Sequence, residues 1–333
     1  MSNINKNIVL YPETENGIYL YEYPMINAIK QYVQVRGSDR NNPLILFVHG
    51  GPGSSLAGLC HVLQAGWEDK FTVANWDQRN TCKTYFANKE SAEEIVQTGT
   101  MEDFIKDIDE VIAFLHTVYD FEKLILMGFS WGTAIGSEYA KRHPENLLCY
   151  ISVGQLTNYR EGVLFTCRKM LGLVQKGGKD EMKIKQIIET FPRNPVWNKE
   201  MLSCLKYYNA LCMKYIAKHA RRITLSNIFG SPFLNFKEKR NFLMPDYPLF
   251  TKAFETMLSY DFRRNMKYEV PVLFIFGDEE TVCNPELVEE CSDNISAPVR
   301  EIKIIPKASH MCFFDQPDAF SQTLVSFLND INS

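Results

Sequence analysis

The chain has 333 residues, 45% hydrophobic and 23% charged, enough to bury a sizeable core in one large domain or two. Its 36 basic and 40 acidic residues give a net charge of −4, which argues against nucleic acid as the main partner. No apolar run approaches the roughly 20 residues a membrane-spanning helix needs, so no membrane partner is expected.

The amino terminus, "MSNINKNIVLYPETENG", lacks a basic segment followed by an apolar stretch, so no signal peptide is expected. Nine cysteines are scattered without CxxC spacing, and an odd number cannot all pair within one chain. Free thiols and a cytoplasmic location are the simplest expectation. Neither cysteine nor histidine spacing suggests a zinc site, and no phosphate-cradling or dinucleotide motif appears, so no metal and no cofactor are expected.

Along the chain, "GIYLYEYP" and "NAIKQYVQVRG" alternate apolar and polar residues, as a half-exposed antiparallel edge would. "PLILFVHGG" is continuously apolar and stops at glycines, which predicts a strand covered on both faces. "SSLAGLCHVLQAGWEDK" has helical spacing at Leu56, Leu59, Leu63 and Trp67, and "FTVANWDQRN" reads as another short strand. In "TMEDFIKDIDEVIAFLHTVY", Phe104, Ile108, Val111, Ile112 and Leu115 share one helical face, with Thr100 as N-cap and Asp103 in the first turn. "KLILMGFS" then predicts a strand, "WGTAIGSEYAKRHPE" a helix ended by Pro144, and "LLCYISVG" a strand. This rhythm implies a parallel sheet with helices on both faces.

From Thr157 to Lys267 the rhythm breaks into a mostly helical region with "KGGKDE", "FPRNP" and "MPDYP" as breakers. "PVLFIFG", "PELVEECSDNI", "REIKIIPKASH" and "DAFSQTLVSFLNDI" then resume strand, helix, strand, helix. The expected organisation is one α/β core, residues 1–156 and 268–333, interrupted by an insertion over 157–267.

Three predicted strands end in residues that carry chemistry, and in a parallel sheet such ends meet along one edge. Ser130 lies between glycines in "GFSWG", a GxSxG turn from strand to helix that holds a serine hydroxyl out as a nucleophile. Of the six histidines, His310 in "KASHM" is the one in the loop after the last strand, where a general base is needed. "GDEETVC" offers Asp278, Glu279 and Glu280, after Ser130 and before His310, from which one carboxylate would orient the imidazole. A fourth strand ends in "HGGPGSS", whose glycines let backbone N–H groups approach a developing oxyanion.

The strings "HGGPG", "WDQRN", "GFSWG", "GDEETVCNPELVEE" and "ASHMCFFDQPDAF" together resemble the α/β-hydrolases, and within them the proline-iminopeptidase-type serine hydrolases. That resemblance implies the α/β-hydrolase fold: a mostly parallel eight-stranded sheet, helices on both faces, and the insertion as a helical cap. It implies a nucleophile at Ser130, a base at His310, and oxyanion donors in the backbone of Gly51 and Trp131. The family's acid stands three residues after a glycine; Gly277 opens that pattern, so Glu280 is favoured and Asp278 is the alternative. A serine at position 130 argues against the aspartate nucleophile of epoxide hydrolases and dehalogenases.

In "WDQRNTCKT", Asn80 and Cys82 replace the family's usual glycines, so a different loop path is expected, with Asp77, Gln78 and Arg79 bracing the site through a buried Asp–Arg pair. Glu161, where the cap begins, is a candidate to hold a substrate's free amino group. Tyr159, Phe165, Trp197, Tyr207 and Tyr208 line an acyl pocket or form cap core. The expected substrate is a small molecule or short peptide, cleaved at an amide through an acyl-enzyme. An esterase, or a binding protein that keeps the fold, is the alternative; the intact serine, histidine, acid and glycine loop weighs against the second.

Overall fold

The computed structural model describes residues 14–192, 196–216, 223–244 and 247–331. The amino-terminal stretch through Glu13, His219, and parts of "FPRNP" and "MPDYP" lie outside the described residues. Eight strands form one sheet: β1 (Ile18–Glu22), β2 (Tyr32–Gly37), β3 (Leu44–Val48), β4 (Thr72–Asp77), β5 (Leu124–Phe129), β6 (Leu147–Val153), β7 (Val272–Gly277) and β8 (Arg300–Ile305). Their order is β1-β2-β4-β3-β5-β6-β7-β8. The pairs β1–β2 and β2–β4 are antiparallel, and all other neighbours are parallel.

Alternation along the central strands sends residues to two apolar layers. Leu124 and Leu126 of β5 join one cluster, whereas Ile125, Met127 and Phe129 join the other. Burial on both faces is why these strands read as unbroken apolar runs. At the edge, β1 is half-exposed as expected, but its burial falls from Ile18 to Tyr21 and Glu22 instead of alternating. β2 is not half-exposed: Val33 and Val35 join an apolar cluster, and Gln34 and Arg36 are buried against Cys60 and Glu68. Arg36 of β2, for example, pairs through Nε with Glu68 Oε1 at 3.0 Å.

Helix α1 (Met101–Val118) begins with the expected cap. Thr100 Oγ1 accepts from the Asp103 N–H at 3.3 Å, and Asp103 Oδ2 accepts from the Thr100 N–H at 2.9 Å. These bonds satisfy N–H groups that have no intrahelical partner. Helix α2 (Trp131–Arg142) follows β5 directly. Between β6 and β7 come α3 (Tyr159–Leu171), α4 (Lys179–Thr190), α5 (Lys199–Tyr215), α6 (Leu225–Gly230), α7 (Phe236–Leu243) and α8 (Thr251–Ser259). Helices α9 (Pro285–Glu290) and α10 (Pro317–Ile331) follow β7 and β8.

The helix expected from Leu56 to Trp67 is absent. The segment forms a 3-10 turn (Ala57–Leu59) and one α-turn (Cys60–Leu63). Leu56, Leu59, Leu63 and Trp67 are still buried, but as a packed loop. Leu234 of the insertion presses on Gly58, where a Cβ would lie 2.3 Å from its side chain, so the loop is shaped by contact rather than propensity.

From β3 the chain crosses to β4 on one side, and β5 later pairs with β3 on the other. That reversal marks a topological switch point at the carboxyl ends of β3 and β5, the place where open α/β sheets form a ligand-binding crevice.

Candidate active site

Ser130 sits at this crevice, between the last residue of β5 and the first of α2. Its backbone is at φ 53° and ψ −120°, a conformation that L-residues rarely adopt and that surrounding contacts must enforce. The Ser130 N–H donates to Val153 O at 2.9 Å, tying the turn to the end of β6. Gly132 makes the geometry possible: a Cβ there would lie 2.0 Å from the Val48 carbonyl oxygen of β3. The Trp131 side chain is buried against Phe104, with ring centroids 5.7 Å apart. As the first residue of α2, Trp131 has an N–H without an intrahelical acceptor, at the positive end of the helix.

His310 follows β8 and is half-buried, its ring 4.9 Å from that of Phe129. The loop is pinned by Asp315, whose Oδ2 accepts from the Ser309 N–H at 2.8 Å and the Ser309 hydroxyl at 2.5 Å. His310 Nδ1 lies 2.7 Å from Glu280 Oε2. The other oxygen, Oε1, accepts from the N–H groups of Thr281, Val282 and Cys283 at 2.7, 2.7 and 3.2 Å. Burial alone would raise the Glu280 pKa, but the His310 charge and hydrogen bond, with the backbone donors, hold it below the ordinary value of 4.5. A carboxylate so fixed keeps the Nδ1 proton on the imidazole and leaves Nε2 to accept one.

Asp278 is exposed, and its Oδ1 accepts from the Ala308 N–H at 3.1 Å, bracing the histidine loop instead of the imidazole. Gly154, at φ +65°, gives the pair room from below: a Cβ there would lie 3.0 Å from His310 Cε1 and 3.4 Å from Glu280 Oε2.

The glycine loop is held from beneath by His49, the first residue of "HGGPGSS". His49 Nε2 accepts from the Gln78 N–H at 3.1 Å, so Nδ1 carries the proton and donates to Gly50 O at 2.8 Å. Burial pushes its pKa down to about 4. Gln78 Nε2 donates to His49 O at 2.8 Å, closing the clasp. Gly51 takes φ +117°. Beyond it, the Ser55 hydroxyl donates to Asp77 Oδ1 at 2.5 Å, and burial raises the Asp77 pKa to about 7.

The expected buried Asp–Arg pair exists, but its acid is Asp107. Arg79 Nε and Nη2 each reach that carboxylate of α1 at 2.6 Å, while Asp77 is turned to Ser55. Asn80 and Cys82 keep positive φ values, 55° and 37°, so the loop retains left-handed turns without glycine. Asn80 Nδ2 donates to Leu249 O of the insertion at 3.0 Å, which helps hold that turn.

The insertion touches several of these loops. The Phe250 ring lies against Gly53, where a Cβ would be 2.5 Å from Cζ. Thr166 Oγ1 and Tyr208 Oη donate to Thr281 O at 3.0 and 3.4 Å. Glu161 is committed elsewhere: Arg263 Nη1 and Nη2 reach its two oxygens at 2.9 Å each. Of the aromatics, Trp197 stacks on Phe254 at 3.7 Å, and Tyr208 is buried. Sequence reasoning passed over Cys283, a buried thiol whose own N–H donates to Glu280 Oε1; burial, then the Glu280 charge, raises its pKa well above the usual thiol range. Among the described residues, no cluster of three or more His, Cys, Asp or Glu could hold a metal ion. Nor, among them, is any helix long and apolar enough to cross a membrane.

The family model described as "alpha/beta hydrolase fold" matches residues 43–317, from β3 to the start of α10. The chain belongs to the α/β hydrolase fold family. This α/β hydrolase is 24% identical over 322 residues to a probable aminopeptidase, YbaC, of Bacillus subtilis, covering 95% of this chain and 98% of the relative. It is 23% identical over 318 residues to a proline iminopeptidase of Saccharolobus solfataricus, covering 92% and 91%. The crystal structure of a Mycobacterium smegmatis proline iminopeptidase superposes with a TM-score of 0.65 at 17% identity, over 94% of this chain and 98% of that one. At that identity the likeness is one of fold.

Proposed function

We propose that this α/β hydrolase is a serine hydrolase of proline iminopeptidase type, which releases an amino-terminal residue from a short peptide or small amide through an acyl-enzyme. The observation that carries this reading is the fixed His310–Glu280 pair at the strand edge that also presents Ser130 on a strained turn. Ser130 Oγ attacks the carbonyl carbon while His310 Nε2 takes its proton, and Glu280 stabilises the imidazolium. The N–H groups of Gly51 and Trp131 stabilise the oxyanion. His310 then gives the proton to the departing amine, and a water activated by the same imidazole frees the acyl group.

Residues 157–267 act as a cap over a core of 1–156 and 268–333; the contacts of Phe250, Thr166 and Tyr208 with the site loops support this division. Glu161 takes part as an amine-binding residue in competition with Arg263, since an incoming ammonium must displace that guanidinium. Nine free cysteines, all but Cys204 buried, fit a reducing cytoplasmic setting. The decisive experiment compares prolyl and other aminoacyl naphthylamides with p-nitrophenyl esters, using Ser130→Ala as control and a fluorophosphonate probe. Hydrolysis of aminoacyl amides, lost in Ser130→Ala, with labelling at Ser130, is expected. Retained activity in Ser130→Ala would refute the mechanism, and turnover of esters alone would refute the peptidase assignment.

A further inference from the structure

Among the described residues of the insertion, α6 and α7 carry the most apolar exposed stretch, and nothing in the catalytic proposal uses it. Leu225 and Phe229, one turn apart on α6, are 61% and 52% exposed. Phe236 at the start of α7 is 76% exposed, and Met244 just past its end is 72% exposed. Large apolar side chains so exposed, and so close in sequence, mark an interaction surface rather than scattered exceptions. The two helices are joined at this surface, because Lys239 Nζ donates to Phe229 O at 2.8 Å.

The charge carried by these two helices is mostly of one sign. Residues 223–244 contain three basic residues, Lys237, Lys239 and Arg240, and one acid, Glu238. Glu238 is buried and spent on the core: its Oε2 accepts from Lys83 Nζ at 2.9 Å and from the Asn235 N–H at 2.8 Å. The outward surface therefore offers apolar side chains set among cations, on a chain whose net charge is −4.

We propose that this face of α6 and α7 docks on an anionic lipid surface. Phe229, Phe236 and Met244 would enter the headgroup boundary while Lys237 and Arg240 meet lipid phosphates, the arrangement by which interfacial helices bind. A second copy of the chain is the poorer occupant, because a two-fold contact would set the cations of one copy against those of the other. The absence of a spanning segment bears on insertion across a bilayer, not on contact with its surface.

The test is co-sedimentation of the full chain with vesicles of phosphatidylcholine alone or with phosphatidylserine, at low and at near-physiological salt. Binding to the phosphatidylserine vesicles, weakened by salt, is expected. Each basic residue near an anionic surface contributes roughly fivefold to partitioning, so Lys237→Gln with Arg240→Gln should weaken it by about 25-fold. Phe229→Ser with Phe236→Ser should also release the protein, and both sites are exposed enough to leave folding intact. No binding at low salt, equal binding to both vesicle types, or full binding by the Phe229→Ser, Phe236→Ser variant would each overturn the proposal. A concentration-dependent dimer abolished by those serines, without vesicle binding, would assign the face to a protein contact instead.

Discussion

Glu280→Gln is the substitution on which the proposed chemistry turns, and the structure dictates how the new amide must sit. Three backbone N–H groups point at the position of Oε1, at 2.7, 2.7 and 3.2 Å. Only the amide oxygen of glutamine can face three donors, so its NH2 must face His310 Nδ1, now 2.7 Å from Glu280 Oε2. An NH2 there demands a lone pair on Nδ1 and drives the proton to Nε2, where it blocks uptake of the Ser130 proton. The charge that stabilises the imidazolium is lost as well. A loss of kcat of about 10⁴ is expected, equivalent to about 5 kcal/mol of transition-state stabilisation. The assay is kcat on the best amide or ester substrate, with a thermal melt to show that the variant is folded. Asp278→Asn, at an exposed carboxylate that braces only Ala308, serves as the control and should stay within a few-fold of the parent. Glu280→Gln activity within tenfold of the parent, or an equal loss in Asp278→Asn, would refute the reasoning.

Other substitutions probe the frame around the site. His49 titrates near 6.5 when unfolded and near 4 when buried, so its contribution to stability is complete above pH 6.5 and drains away as the pH falls toward 4. That window is worth about 3 kcal/mol, and denaturant midpoints between pH 4 and 7.5 should fall less steeply in His49→Gln than in the parent. Gly132→Ala would push a methyl to within 2.0 Å of Val48 O, so a destabilisation of about 3 kcal/mol or more is expected in chemical denaturation. Glu238→Gln removes the closest counter-charge of the half-buried Lys83, which also lies near Asp77, and should cost about 1.5–3 kcal/mol by the same measurement. Glu161→Gln should change KM for aminoacyl amides while leaving esters untouched, if an ammonium competes with Arg263 for that carboxylate.

What was legible in the sequence follows from local rules. The strands that end in "HGG", "GFS" and "GDEE" are buried on both faces, and such strands write themselves as unbroken apolar runs. The Thr100 cap was legible because its partner is three residues away. What depended on distant partners was not. Arg79 finds Asp107, 28 residues on, where the nearer Asp77 looked sufficient. Glu161 finds Arg263 across 102 residues. Glu280 was favoured over Asp278 only through the family's spacing from Gly277; the physical distinction, burial and three converging N–H groups, leaves no trace in a run of three carboxylates. The Leu56–Trp67 segment misleads for a related reason: its leucines recur at helical spacing, yet Leu234 and Gly58 press it into a loop buried on several sides.

Gly132 against Val48 O, and Gly50, where a Cβ would stand 2.9 Å from Ser130 Cβ, share one consequence. The turn that bears the serine and the loop that would receive the oxyanion are in contact at two points at the carboxyl end of β3, so neither can be re-aimed without moving the other. Small changes here are not tolerated by degrees: a methyl group at either glycine collides with main chain or with Ser130. Under the proposed mechanism, variation in substrate would fall to the helices between β6 and β7, which meet the site loops through side chains that can be exchanged one at a time.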